Sequence, residues 1–126
     1  MNIPEDLLYT EDHEWLKVDG HEAYVGITDY AQGQLGDIVF IEIETAGQNI
    51  GKHEVFGTIE AVKTVSDMFM PVSGEVIEVN SKVLDSPESV NSQPYGNGWM
   101  IKIRINDPAE LKALLSPAQY SQKAGN

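Results

Sequence analysis

The chain has 126 residues, twenty acidic against eight basic, a formal net charge of −12, and no cysteine. That length supports one domain with a modest core. The missing cysteine excludes disulfides, thiolate metal sites and cysteine nucleophiles, so any sulfur chemistry must arrive on a cofactor. The charge leaves no basic footprint for nucleic acid; it suits a soluble monomer and steers the protein toward basic docking surfaces. No apolar run approaches the length of a membrane span, and Met1 to Asp12 lacks the pattern of a signal or transit peptide, which reads as cytoplasmic.

In chain order, Trp15 to Val18 and Glu22 to Ile27 read as a hairpin turning at Asp19-Gly20, a pair that tolerates positive φ. Thr28 to Leu35 reads as a short helix with Thr28 as N-cap and Gly36 ending it. Asp37 to Glu44 is a strand in which Ile41 and Ile43 alternate with Glu42 and Glu44. A second hairpin centres on Lys63, followed by a strand from Glu75 to Asn80. Trp99 to Ile105 alternates most clearly, with Trp99, Ile101, Ile103 and Ile105 on one face. Asp107-Pro108-Ala109-Glu110 then opens a helix through Leu115, and Ser116-Pro117 starts a further helical turn. Two tetrads, Gly36-Asp37-Ile38-Val39 and Gly74-Glu75-Val76-Ile77, form a faint repeat on either side of the Lys63 hairpin; chance similarity is the rival account. Short strands and many turns predict a mainly β sandwich or barrel with short peripheral helices.

The candidate functional residue is Lys63. Apolar runs flank it almost symmetrically, which places it at or near the tip of a tight turn with its amine in water. A lysine ammonium is a poor nucleophile, so a bare Lys63 does no chemistry; loaded with a cofactor it becomes the root of a swinging arm. Metal binding is not expected: His13 and Glu14, as adjacent strand residues, face opposite sides and cannot jointly bind one ion, and His21 and His53 lack ligand spacing. No serine, histidine or acid stands in a nucleophile elbow, and no glycine loop is built for phosphate. Trp15 and Trp99 read as core, and Met68 and Met70 as packing in the sheet or near the arm.

Glu60-Ala61-Val62-Lys63, Ser66-Asp67 and Pro71-Val72-Ser73-Gly74-Glu75-Val76 resemble the lipoyl-lysine segment of the glycine cleavage system H-protein family. His13-Glu14-Trp15, Val25 to Gln32, Leu35 to Phe40, Pro94-Tyr95-Gly96 with Gly98-Trp99, and Asp107-Pro108 with Glu110-Leu111 extend the resemblance in order, from about Tyr9 to Tyr120. It implies the flattened, pseudo-symmetric β-barrel or sandwich of lipoyl and biotinyl carriers, with a C-terminal helix, as one carrier domain over residues 1–126. It implies lipoate bound covalently as N6-lipoyllysine at Lys63. The function implied is that of a carrier rather than an enzyme, shuttling the aminomethyl intermediate of glycine. The partners would be glycine decarboxylase (P protein), aminomethyltransferase (T protein), dihydrolipoyl dehydrogenase (L protein) and the lipoate-attaching enzymes.

By the same resemblance Glu14, Ile27, Ser66 and Asp67 surround a cleft that shelters the amine-loaded arm, where a carboxylate suits a protonated amine. Glu60 and Asp67 flank the lysine as recognition residues for the lipoylating enzyme. Biotin is the alternative cofactor, but biotin carriers usually set methionine on both sides of the lysine, where this chain has Val62 and Thr64. A lipoyl relay to 2-oxoacid dehydrogenases and a non-covalent binding module are the alternative functions. Ala61, Thr64 and Met68-Phe69 depart from the usual residues, and Thr45 to His53 matches loosely.

Overall fold

The computed structural model describes residues 2–125. Two antiparallel sheets share one core. Strands β1 (Leu8–Tyr9), β2 (Glu14–Asp19), β3 (Glu22–Ile27), β5 (Asn49–Ile50), β8 (Gly74–Val79) and β9 (Ile101–Ile105) form one sheet in the order β1-β2-β3-β9-β8-β5. Strands β4 (Ile38–Glu42), β6 (Val55–Ala61) and β7 (Val65–Phe69) form the other in the order β4-β6-β7. Inward residues of both sheets, among them Val25, Ile41, Ile59, Met68, Val76 and Ile103, belong to a single buried cluster. The architecture is thus the expected mainly β sandwich, open at its edges rather than a strictly closed barrel. No helix of the described residues is long and apolar enough to cross a membrane.

Local details depart from the sequence reading. Asp19 pairs with Glu22, so the first hairpin turns at Gly20-His21, one residue later than expected. Gly20 has φ of 64° at the first central position, and His21 has none of the positive φ that an Asp-Gly type turn asks of both. Strand β9 starts only at Ile101: Met100 turns into the main core, and Trp99 instead packs edge-on against Tyr24 at 5.0 Å in a second aromatic cluster. The segment after Asp107 is a 3₁₀ helix, Pro108–Ala113, capped by the Asp107 carboxylate accepting from Ala109 N–H. The C-terminal helix is α4 (Pro117–Lys123), opened by a complete Ser116/Gln119 capping box.

The faint repeat has a structural counterpart. The β4 register slips between Ile38 and Phe40, and the β8 register slips between Val76 and Glu78. The skipped residues, Val39 and Ile77, are the fourth residues of the two tetrads, so both half-units carry a bulge at the same place. Their glycines differ: Gly36, with φ of 79°, caps α1 (Asp29–Leu35), whereas Gly74 is a strand residue against the Arg104 carbonyl.

Two clamps hold the start of β4. Asn91, on the short helix α3 (Ser89–Ser92) that follows α2 (Ser81–Asp85), accepts from Ile38 N–H at 2.9 Å and donates to the Gly36 carbonyl at 2.9 Å. The Asp37 carbonyl then accepts from Val62 N–H at 3.0 Å, fixing the tip of the β6–β7 hairpin.

The second cluster gathers Leu7, Tyr9, Trp15 and Tyr120. Trp15 is pinned by its indole N–H donating to the Pro94 carbonyl at 3.0 Å and lies flat on Gly26, where an added Cβ would meet the ring at 2.7 Å. Gly26→Ala is therefore expected to destabilise the fold by about 1–3 kcal/mol, read as a lower urea midpoint followed by tryptophan fluorescence. A midpoint equal to the parent's would show that Trp15 has room to move.

Candidate functional site

The β6–β7 hairpin reduces to a two-residue tip. Ala61 N–H donates to the Thr64 carbonyl at 2.8 Å, leaving Val62 and Lys63 between them. Lys63 is exposed and carries no ion pair among the described residues. Around it stand apolar side chains that face water: Val62 is 71% exposed, Val65 63%, Phe40 52% and Val39 50%. The β4 bulge puts Val39 and Phe40 outward together, which strand alternation alone forbids.

On the inner side of this hairpin lies a cleft of about 330 Å³ between α1 and β7. Glu14, Ile27, Ser66 and Asp67, the four cleft residues named by resemblance, all line it. Ala31 and Leu35 from α1 and Ile59 and Met68 from the sheet give it apolar walls. Asp67 is exposed on the edge strand β7, at the rim. Glu60 is not part of it: paired with Phe40 and Val65, it stands on the outer face of the three-stranded sheet, exposed beside the lysine.

Glu14 is the chemically unusual group, a carboxyl only 2% exposed. The Thr10 hydroxyl accepts from Asp12 N–H at 3.2 Å and Glu14 N–H at 3.1 Å, so its own hydrogen is free to donate to Glu14 Oε1 at 2.7 Å. Oε2 has only a long contact from Phe69 N–H at 3.5 Å. Burial outweighs these donors and, with a smaller push from Asp12, raises the Glu14 pKa from 4.5 to about 8. The group is therefore a neutral acid at pH 7 in the empty cleft.

His13 lies beside it and corrects the sequence argument. It is not a strand residue but a turn residue with φ of 67°, and it lines the same cleft as Glu14. Its ring rests on Tyr30 at 4.7 Å, and Nδ1 is 2.8 Å from the Tyr120 hydroxyl. Burial lowers its pKa below the usual value, against an opposing pull from Asp12, so the ring is neutral. Among the described residues no three His, Asp or Glu side chains gather as metal ligands.

A larger groove of about 620 Å³ lies beyond the end of β7, near Lys52, His53 and Leu114. It holds no buried ionisable group, so the smaller cleft is the better chemical candidate. Sequence reasoning missed Thr10, Tyr30 and Tyr120. Thr10 stands four residues before the acid it serves, a visible local spacing; Tyr120 is 107 residues from His13 and gives no local signal.

The comparisons with known proteins agree with this geometry. A family model described as glycine cleavage H-protein matches residues 7–126. A glycine cleavage system H protein of Chlorobium limicola is 59% identical, over 99% of this chain and 99% of its own length. That of Prosthecochloris aestuarii is 57% identical with the same coverage. The crystal structure of a glycine cleavage system H protein from Mycobacterium marinum superposes with a TM-score of 0.87 at 34% identity, covering 98% of this chain and all of that one. The chain belongs to the glycine cleavage H-protein family, whose members serve the glycine cleavage system as lipoyl carriers.

Proposed function

We propose that the chain holds lipoate as N6-lipoyllysine on Lys63 and is handed, as a covalent substrate and not an enzyme, between the P, T and L proteins of glycine cleavage. Residues 1–126 act as one carrier domain, a monomer in the cytoplasm. When bound, the dithiolane supplies the sulfur redox and amine-carrying chemistry that a cysteine-free chain lacks. Lys63 contributes an exposed amine on a tip pinned by two backbone hydrogen bonds, so the post is rigid and the motion lies beyond Nζ. Val39, Phe40, Val62 and Val65, set among Asp37, Glu42 and Glu60, offer an apolar surface with an acidic rim to lipoate-attaching enzymes and partners.

The observation that carries the reading is the buried Glu14 carboxyl in an apolar cleft behind the lysine hairpin. Ile27, Ile59 and Met68 suit a hydrocarbon and exclude water, while Glu14 suits a protonated amine. A neutral amine arriving beside Glu14 takes the carboxyl proton, whereas an ammonium arriving there favours the carboxylate, pulls its pKa down and sends the Glu14 proton to solvent. Either way an ion pair forms only when cargo is present, in a dry site where it is strong.

The empty protein carries the cost of this arrangement. A pKa raised from 4.5 in the unfolded chain to about 8 in the fold means that the native state binds the extra proton. Stability from Glu14 is full below pH 4.5 and is lost as pH rises to about 8, by an amount of order 5 kcal/mol. Glu14→Gln is therefore expected to flatten the fall in unfolding free energy between pH 5 and 8, measured by urea titration at several pH values. Equal slopes in both proteins would show that Glu14 is already ionised in the fold.

Lys63→Arg is expected to keep the fold yet take no lipoyl mass increment from a competent lipoate ligase, and to support no glycine cleavage. An increment retained by the variant, or found on another peptide, would overturn the attachment site. Glu14→Ala is expected to leave lipoylation intact while speeding ammonia release from the amine-loaded carrier, and a rate equal to the parent's would remove the cleft from the mechanism.

A further inference from the structure

The C-terminal helix α4 buries a single side chain, Tyr120, at 0% exposure. The ring stacks on Tyr9 at 4.7 Å and 10°, and the helix is tied down where Tyr9 and Leu115 exchange backbone hydrogen bonds of 3.0 and 2.7 Å. Packing explains the ring but not the hydroxyl. That hydroxyl joins two groups: Thr28 Oγ1 at 2.7 Å, on a residue itself 0% exposed, and His13 Nδ1 at 2.8 Å.

The directions of these hydrogen bonds are determined by counting hydrogens. Thr28 Oγ1 accepts from Ala31 N–H at 3.2 Å as the N-cap of α1, and the Tyr120 hydroxyl is the acceptor that stands within reach of its own hydrogen, which therefore goes to Tyr120. The Tyr120 hydrogen then goes to His13 Nδ1. The reverse order leaves the buried Thr28 hydrogen without an acceptor. Neutral His13 thus carries its hydrogen on Nε2, and its one basic lone pair is spent on Tyr120.

We propose that Tyr120 is a positioning residue of the cleft, whose hydroxyl occupies the His13 Nδ1 lone pair and so removes the one imidazole base that stands beside a docked amine. This rests on the reading of the cleft as the shelter of a protonated amine. Glu14 and His13 are sequence neighbours lining one cavity, and they have opposite uses there. Glu14 as a carboxylate holds an ammonium; an imidazole with a free lone pair takes a proton from it, and the neutral amine no longer pairs with the carboxylate. Capping Nδ1 from α4 leaves carboxylates, Glu14 the buried one among them, as the bases that the cargo meets.

The backbone supports a fixed ring. His13 N–H donates to the Thr10 carbonyl at 3.2 Å, and its carbonyl accepts from Thr28 N–H at 3.0 Å, so a left-handed residue is held at both ends. The ionisable groups facing its ring are Asp12 and Glu14 from its own segment, Tyr30 from α1, and Tyr120 and Lys123 from α4. Lys123 is itself engaged with Glu11 at 3.5 Å.

Two measurements test the proposal. Long-range ¹H–¹⁵N correlation spectra of the full, unloaded chain report the His13 tautomer. The expected result is a neutral Nε2–H ring over the neutral pH range, and an Nδ1–H ring in the parent protein would overturn the proposal without any variant. Tyr120→Phe keeps the stacked ring and deletes only the hydroxyl. It is expected to release the tautomer to a mixture and to speed ammonia release from the amine-loaded carrier by roughly two- to tenfold, the scale of one hydrogen bond. The accelerated rate is expected to follow a histidine titration that the parent lacks. Glu14→Gln, run beside it, separates the two ideas. A faster release in Glu14→Gln with a parent-like rate in Tyr120→Phe would refute the role of Tyr120 and leave the cleft standing. Parent-like rates in both would refute the cleft itself.

Discussion

A carboxyl buried without a cation is the constraint around which this molecule is arranged. Glu14 sits at 2% exposure in walls of isoleucine, leucine and methionine. A fold optimised for stability alone would place an apolar side chain there. Here the strand β2 begins with the acid and continues directly into Trp15 and Leu16, both core residues, so the carboxyl cannot turn to solvent without lifting the strand. The surroundings manage the cost by supplying just enough polarity: one strong donor from Thr10 and one long contact from Phe69. More donors would hold the carboxylate permanently ionised and leave little to gain from a cation; fewer would leave a buried polar atom unpaired. The result is a group that is neutral when alone and that a cation beside it would ionise.

The second constraint is that the same hairpin must face two ways. Its outer face and tip stand exposed to solvent, and its inner face forms a wall of the cleft. The bulges at Val39 and Ile77 show how one half-unit was adapted without changing its pattern. In β8 the bulge leaves Ile77 half-buried within the larger sheet, on a strand paired along its length with β9 and at its start with β5. In β4, at the edge of the smaller sheet, the equivalent slip turns Val39 and Phe40 outward beside the lysine. One irregularity, repeated in two contexts, gives a half-buried residue in one and an exposed apolar pair in the other.

Much of this was legible along the chain because it is local. Alternation located β4 and most of β9; the Asp19-Gly20 pair signalled the hairpin of β2 and β3; the Thr28 cap and Gly36 terminator bounded α1; symmetric apolar runs centred a hairpin on Lys63. What failed was set by contacts between distant segments. The first turn slipped to Gly20-His21 because the register follows the core-facing pairs of β2 and β3, whatever the Asp-Gly pair prefers. Trp99 and Met100 broke alternation because two different clusters claim them. His13 was assigned to a strand and set on the face opposite Glu14, an error of one backbone angle: its left-handed conformation bends the chain so that both side chains reach the same cavity. Strands β1 and β5, of two residues each, owe their pairing to partners and not to propensity.

That one angle also explains why the C-terminal segment matters to a site built from the N-terminal half. A left-handed histidine is costly, and it needs anchors beyond its own turn. Thr28 supplies the backbone anchor through its N–H, and the same residue, by capping α1 and donating onward to Tyr120, supplies the side-chain anchor. Helix α1 brings Ala31 and Leu35 to the cleft wall, so its cap, the imidazole and the cavity shape are set by one residue. Tyr120 closes the circuit from outside the β core. A helix of seven residues with one buried side chain contributes little burial of its own; its contribution is direction, aligning two hydroxyl hydrogens so that the imidazole beside Glu14 has no lone pair to offer. The sandwich therefore provides the post and the dry cleft, and the short flanking helices determine which groups in that cleft can hold a proton.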